Sequence, residues 1–218
     1  MPKKTFFKLN DAKRKLITDA FMHEFSNRSF DQASISSVVK TLRISKGSIY
    51  QYFEDKLDLV LYLKDQCEAV KLKYIIDVKR ENYVDFWVYF RNLYVQGVKF
   101  DMEHPLKAKL LYNIGKSRHT PDLQEVFEAW KSRSLQMLGA MIKQEVDRGN
   151  FHSNVSIESM AYFLYSISSS IGDYMADLYA VDFDKNIKAN KPLSKGHKKL
   201  LLKSIDELII LLKKAFNK

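Results

Sequence analysis

The chain has 218 residues, 46% of them hydrophobic, enough to bury a sizeable core, and its one cysteine, Cys67, excludes both an intramolecular disulfide framework and a cysteine-based zinc site. Its formal net charge of +10 is unevenly spread: residues 1–56 carry 11 Lys+Arg against 6 Asp+Glu and the other 162 residues 25 against 20, so each part holds +5 and the shorter one holds it about three times as densely. A basic N-terminal quarter suits a phosphate-facing surface, although a basic protein can also be basic merely over its solvated face. The stretch Met-Pro-Lys-Lys-Thr-Phe-Phe-Lys at the N-terminus has no apolar core of signal-peptide length, and the longest hydrophobic run, 160–165, falls far short of the about 20 residues a membrane span needs, so a cytoplasmic location is expected.

The first helical stripe is Leu16, Ile17, Phe21 and Phe25. Ser34 can then cap a helix whose apolar positions Ile35, Val38, Val39 and Leu42 keep the 3.6-residue period. A turn at Arg43–Ile44 follows, and Ser45 is a good N-cap for a second short helix. In that helix Ile49 and Phe53 share the buried face, which leaves Lys46, Ser48, Tyr50, Gln51 and Tyr52 on or near the exposed one. So many hydrogen-bonding and aromatic groups on a short surface helix read as the second element of a helix-turn-helix, the device that pushes a helix into the DNA major groove. Asp55, with Asp58 three residues on, starts the next helix at Lys56 and puts acid at its positive end.

On these residues the chain resembles the TetR/AcrR family of bacterial repressors. The run Val38-Val39-Lys40-Thr41-Leu42-Arg43-Ile44-Ser45-Lys46-Gly47-Ser48-Ile49-Tyr50-Gln51-Tyr52-Phe53-Glu54-Asp55-Lys56-Leu57-Asp58 lies along that family's N-terminal motif without a gap, and the specific likeness covers residues 11–61. Three positions depart from the motif. The usual turn glycine is Arg43, which must avoid positive φ or bear strain; the small residue after the first Ile position is Val39; and Ser37 replaces the acid of a capping box. The resemblance implies that DNA is met by Ser34, Ser36, Arg43, Ser45, Lys46, Gly47, Ser48, Tyr50, Gln51, Tyr52 and Lys56. Gly47 would let backbone approach DNA, the tyrosines would offer hydroxyls to phosphates, Gln51 could read adenine, and Lys56 would touch a phosphate. A solvated Gln51 or a merely tolerated Gly47 would look the same from sequence.

The remainder reads as all-helical, giving an all-α fold: a three-helix helix-turn-helix domain over 1–56, joined by a continuous helix at 56–78 to a C-terminal domain over 57–218. An aromatic helix at 83–102 is followed by a short one at 106–114. Thr120-Pro121-Asp122 then starts a helix carrying Leu123, Phe127, Trp130, Leu138 and Ile142 and stopping at Gly149. Helices at 156–179 and 194–215 close the chain, with 181–195 between them as an exposed loop. Leu201, Ile205, Leu208 and Leu212 repeat with 4, 3, 4 spacing, and Ile167 and Ile171 belong to a similar seam on the preceding helix. The family dimerises through its last two helices, which assigns these six residues to a homodimer interface; the alternative is that both stripes fill one subunit's core.

The resemblance also implies a small-molecule inducer in the C-terminal domain. Trp87, Phe90, Tyr94, Tyr112, Phe127, Trp130 and Tyr165 could line a pocket for a hydrophobic or aromatic ligand, cations included, although buried aromatics also make ordinary core. The expected function is a sequence-specific repressor of transcription released from a palindromic DNA operator when that ligand binds. Catalysis has little to stand on. His23, His104, His119, His152 and His197 show no paired metal-ligand spacing, there is no phosphate-binding glycine loop or serine elbow, and neither cofactor nor metal is expected. A second class remains open. Lys198, Lys199, Lys203, Lys213 and Lys214 beside a leucine face also fit a basic partner-binding or membrane-surface helix.

Overall fold

The computed structural model describes residues 1–117 and 119–218, and among them the chain forms eleven α-helices and no sheet beyond one isolated bridge between Phe151 and Asn217. Four of the first five helices start where short polar side chains satisfy backbone N–H groups that have no partner inside the helix. A short helix, α1 (Lys4–Phe7), precedes α2 (Asp11–Asn27), where Asn10 accepts from Lys13 N. Ser34 accepts from Ser37 N to open α3 (Ile35–Leu42), Ser45 from Ser48 N to open α4 (Lys46–Tyr50), and Asp55 from Asp58 N to open α5 (Lys56–Ile75).

α5 ends at Ile75, three residues before the sequence expectation, and a 3-10 turn at Arg80–Asn82 leads to α6 (Phe86–Glu103). That helix begins later than its aromatic stripe suggests, because Asp85 captures the N–H groups of Trp87 and Val88 and leaves Tyr83 outside. α7 (Pro105–Lys116) carries proline at its first position. A 3-10 turn at Pro121–Leu123 precedes α8 (Gln124–Asp147), which stops before Gly149 at φ 78°. Ser156 caps α9 (Ile157–Tyr179), and α11 (Lys198–Phe216) closes the chain.

The connection from α9 to α11 is not the exposed loop its lysines suggested. It holds α10 (Phe183–Lys188) and buries Val181, Ile187 and Ser194. The polar residues that anchor it lie far away in sequence. Asp101 accepts from the backbone N–H groups of Leu193 and Ser194, and the buried Lys109 donates to the Ile187 carbonyl and to Asn190 Oδ1.

Two apolar clusters hold the chain together. The first joins Phe6, Phe21, Phe25, Ile49, Phe53 and Leu63 with Leu110 and Ile114 of α7. The second packs α6, α8, α9 and α11 around Phe86, Trp87, Phe90, Phe151 and Phe216, with Trp87 Nε1 donating to Asn217 Oδ1 at 2.8 Å. α7 keys the two parts together. Its Asn113 amide nitrogen faces the carbonyls of Phe25, Ser26 and Arg28 at 2.9–3.2 Å, covering the open end of α2, and Ser26 Oγ donates to the Leu106 carbonyl.

Candidate nucleic-acid interface

The turn between α3 and α4 is tight. Arg43 adopts the left-handed conformation, φ 56° and ψ 38°, and the Ile44 N–H reaches back to the Val39 carbonyl at 3.1 Å. The departure from glycine is therefore met by strain, since a side chain in this region costs about 1–2 kcal/mol. Arg43→Gly is expected to raise the unfolding free energy by about 0.5–1 kcal/mol, less than the full relief because glycine also gains freedom when unfolded. Chemical denaturation of the two proteins checks this.

Ile49 is fully buried and fixes the roll of α4, so the opposite face is presented outward. Ser36, Arg43, Ser45, Lys46, Gly47, Tyr50 and Gln51 are exposed, while Ser34 and Ser48 are half-buried at the caps they make or receive. Lys46 Nζ lies 6.0 Å from the centre of the Tyr50 ring, so a cation and a phenol share one edge. At Gly47 a Cβ would meet only Ser45 Oγ at 3.8 Å, an ordinary contact. Nothing within the subunit demands glycine there. Gly47→Ala should stabilise the free protein slightly through helix propensity while weakening its grip on DNA, a pair of opposite signs that a thermal melt and a duplex-binding titration would read.

Two expected members of this surface face elsewhere. Tyr52 is only 8% exposed, its ring 5.9 Å from that of Phe6, because the chain turns at Gln51 and drops the side chain onto α1, a helix with no strong sequence signal. Lys56 is half-buried; its ammonium lies 4.8 Å from the Phe30 ring centre and donates to the Asp31 carbonyl. Burial lowers the Lys56 pKa, and Asp31, Asp122 and Glu24 oppose that effect. Lys3 and Thr5, which carry no local sequence signal, lie instead at the C-terminal end of α4, bonded to partners nearly fifty residues away.

The expected pocket residues are divided between the two clusters. Trp87 and Phe90 are buried in the second, where Tyr94 and Tyr165 are half-buried; Phe127 and Trp130 pack against the first, and Tyr112 lies on Phe183. The structure does not gather all seven into one chamber. Burial raises the Tyr94 pKa, with the Ser168 hydroxyl opposing it. Among the described residues, Ser168 Oγ and Ser204 Oγ are buried without a hydrogen-bond partner.

The expected dimer seam is also corrected in part. Ile205 and Leu212 are each 2% exposed and belong to the second core, because that stripe of α11 faces inward; Ile167, Ile171, Leu201 and Leu208 are half-buried. The large apolar side chains these two helices leave outward are Tyr162, Phe163, Leu178 and Tyr179 on α9 and Ile210 and Leu211 on α11. Among the described residues no His, Cys, Asp and Glu cluster could hold a metal ion, and no helix is long and apolar enough to cross a membrane.

A capped second helix behind a tight turn, its polar face outward on the most basic part of the chain, defines a helix-turn-helix DNA-binding protein. Residues 17–63 match the family model for bacterial regulatory proteins of the tetR family, so this segment is a DNA-binding domain of the TetR type. No curated protein matches the chain in sequence. Its whole fold is shared with a TetR family transcriptional regulator from Chloroflexus aurantiacus J-10-FL, at 22% identity and TM-score 0.73, covering 100% of this chain and 99% of that one. The SmeT–triclosan complex is similar at 15% identity and TM-score 0.61, over 95% of this chain and 93% of that one. The ketosteroid regulator KstR2 of Mycobacterium tuberculosis is similar at 12% identity and TM-score 0.53, over 97% of each.

Proposed function

We propose that the chain works as a homodimeric repressor whose 1–56 domain holds a palindromic operator and whose 57–218 domain releases it on binding a small hydrophobic or aromatic ligand. The observation that carries this reading is the keying of α7 into α2. Asn113 satisfies the last carbonyls of α2, and α2 packs directly on α3, so a shift of α7 displaces the helix-turn-helix as a unit. A ligand entering among α6, α9 and α11 would act on α7 through α6, which packs against it. The unpartnered hydroxyls of Ser168 and Ser204 favour a polar-tagged apolar guest there, since buried polar groups normally find partners. The fold-sharing SmeT complex holds triclosan, which makes a chlorinated aromatic a sensible first probe.

Exposed Ile210, Leu211 and Phe163 on the last two long helices support pairing of two subunits there, with recognition helices about 34–36 Å apart on one face of the duplex. For release, the ligand must bind the DNA-free arrangement more tightly by a few kcal/mol. The test is release of a duplex selected by the protein itself, on titration with triclosan and a panel of apolar aromatic compounds, cationic ones included. Release by one of them together with a raised melting temperature is expected. A duplex retained against every compound, with the melting temperature unmoved, would remove the ligand half of the proposal.

A further inference from the structure

α4 is only five residues long, too short to hold its shape unaided. Its N-terminal end is satisfied by Ser45, but the carbonyls of Tyr50, Gln51 and Tyr52 lie where helix carbonyls run out of intrahelical partners. All three are taken by one distant segment. Lys3 Nζ donates to the Tyr50 carbonyl at 3.0 Å, Thr5 Oγ1 donates to the Gln51 carbonyl, and Lys3 N donates to the Tyr52 carbonyl at 2.7 Å.

We infer that residues 3–6 are a positioning device for the recognition helix, fixing the angle at which α4 meets DNA by capping its C-terminal carbonyls. The inference deepens the DNA-binding reading and rests on it for its functional half. The segment is itself bolted down on the protein side. Phe6 is fully buried, its ring centre 4.9 Å from that of Phe53 and 5.3 Å from that of Tyr62, so the capping groups are carried on a fixed base. The Lys3 ammonium also pairs with Glu54 Oε2 at 2.8 Å. It is thus held between the last residue of α4 and the turn beyond it, and a cation at this end offsets the partial negative charge of the helix terminus. Lys3 and Thr5 act through α4; they are positioning residues, not base readers.

The test uses the full chain with Lys3→Met and Thr5→Val together, and Lys3→Arg with Thr5→Ser as the conservative pair. Both substitution sites are on the surface, so circular dichroism should show the fold unchanged. Amide hydrogen exchange at Gln51, Tyr52 and Phe53, whose N–H groups bond back to Gly47 and Ile49, is expected to quicken about tenfold in the first pair and to stay at the parent rate in the second. Affinity for a duplex enriched from a random pool by the parent chain should fall about tenfold, with binding to unrelated duplex and the salt dependence unmoved. Parental exchange rates in the first pair would overturn the inference. An equal loss on both duplexes with a salt slope lowered by about one would also overturn it, making Lys3 a phosphate contact. Should the parent chain enrich no duplex, the DNA-binding reading is what fails, and the exchange rates still decide whether the segment orders α4.

Discussion

Glu145→Ala is expected to lower the unfolding free energy by about 3–5 kcal/mol, the range seen when one partner of a buried ion pair is removed. Glu145 lies near the C-terminal end of α8, 1% exposed, and its carboxylate accepts from Arg80 Nε at 2.9 Å and Nη2 at 3.0 Å. Arg148 and Asn150 add two further bonds at 2.8 Å, and the backbone carbonyl of the same residue takes the N–H groups of Asn150 and Phe151. The side chain therefore ties the 3-10 turn before α6 to the end of α8, while the backbone carbonyl of Glu145 holds Phe151, a member of the second core. Removing it strands the Arg80 guanidinium, whose remaining partner is the Tyr83 carbonyl.

The pH dependence of stability follows from the same contacts. Burial pushes the Glu145 pKa up, but the bonds from Arg80, Asn150 and Arg148 outweigh it and leave the carboxyl below its ordinary value of 4.5. A folded-state pKa below the unfolded one gives a contribution fully present above about pH 4.5 and lost as the pH falls through the lower folded value. The parent protein should lose this increment on acidification, and Glu145→Ala should not. Urea unfolding of both proteins at pH 7 and at several acid pH values measures both the gap and its closing.

Ile210→Glu combined with Leu211→Glu is expected to give a folded monomer that binds the selected duplex at least about a hundredfold more weakly. Both side chains are exposed in the single subunit, so charges there leave the core untouched while facing each other across the proposed two-fold pair. Loss of the second recognition helix removes the effective-concentration advantage of bivalent binding, worth a factor of about 10²–10⁴. Gel filtration and duplex titration read the two halves of the expectation. The contrast is Leu212→Glu, one position along, which places a charge in the second core and should unfold the protein instead. A dimer that survives the double substitution would move the interface off this face.

The N-terminal half of the fold was legible where local chemistry decides. Ser34, Ser45 and Asp55 each cap the helix their position announced, because an N-cap needs only a short polar side chain and a neighbouring N–H. The Arg43 turn was legible as a choice between strain and avoidance, and it takes strain. Illegible features depend on partners far along the chain. α1 has four residues and packs on Phe53 and Tyr62, so nothing local in the sequence shows that Phe6 covers Tyr52. The lysine-rich 181–195 segment looks like a solvent loop by composition, and nothing local shows that Asp101 and Lys109 hold it down. On α11 the heptad-like spacing correctly marked an apolar seam but could not say which neighbour it meets: Ile205 and Leu212 pack inside the subunit, and Ile210 and Leu211 face out.

Sequencing of the duplexes that the full-length chain enriches from a random pool tests the reading of α4 most directly. An inverted repeat is expected, its half-site centres one helical turn or a whole multiple apart, and it should fail to enrich with Lys46→Ala or Tyr50→Ala. Enrichment of no motif, or of a single unrepeated motif that both variants still select, would contradict a paired helix-turn-helix reading DNA through α4.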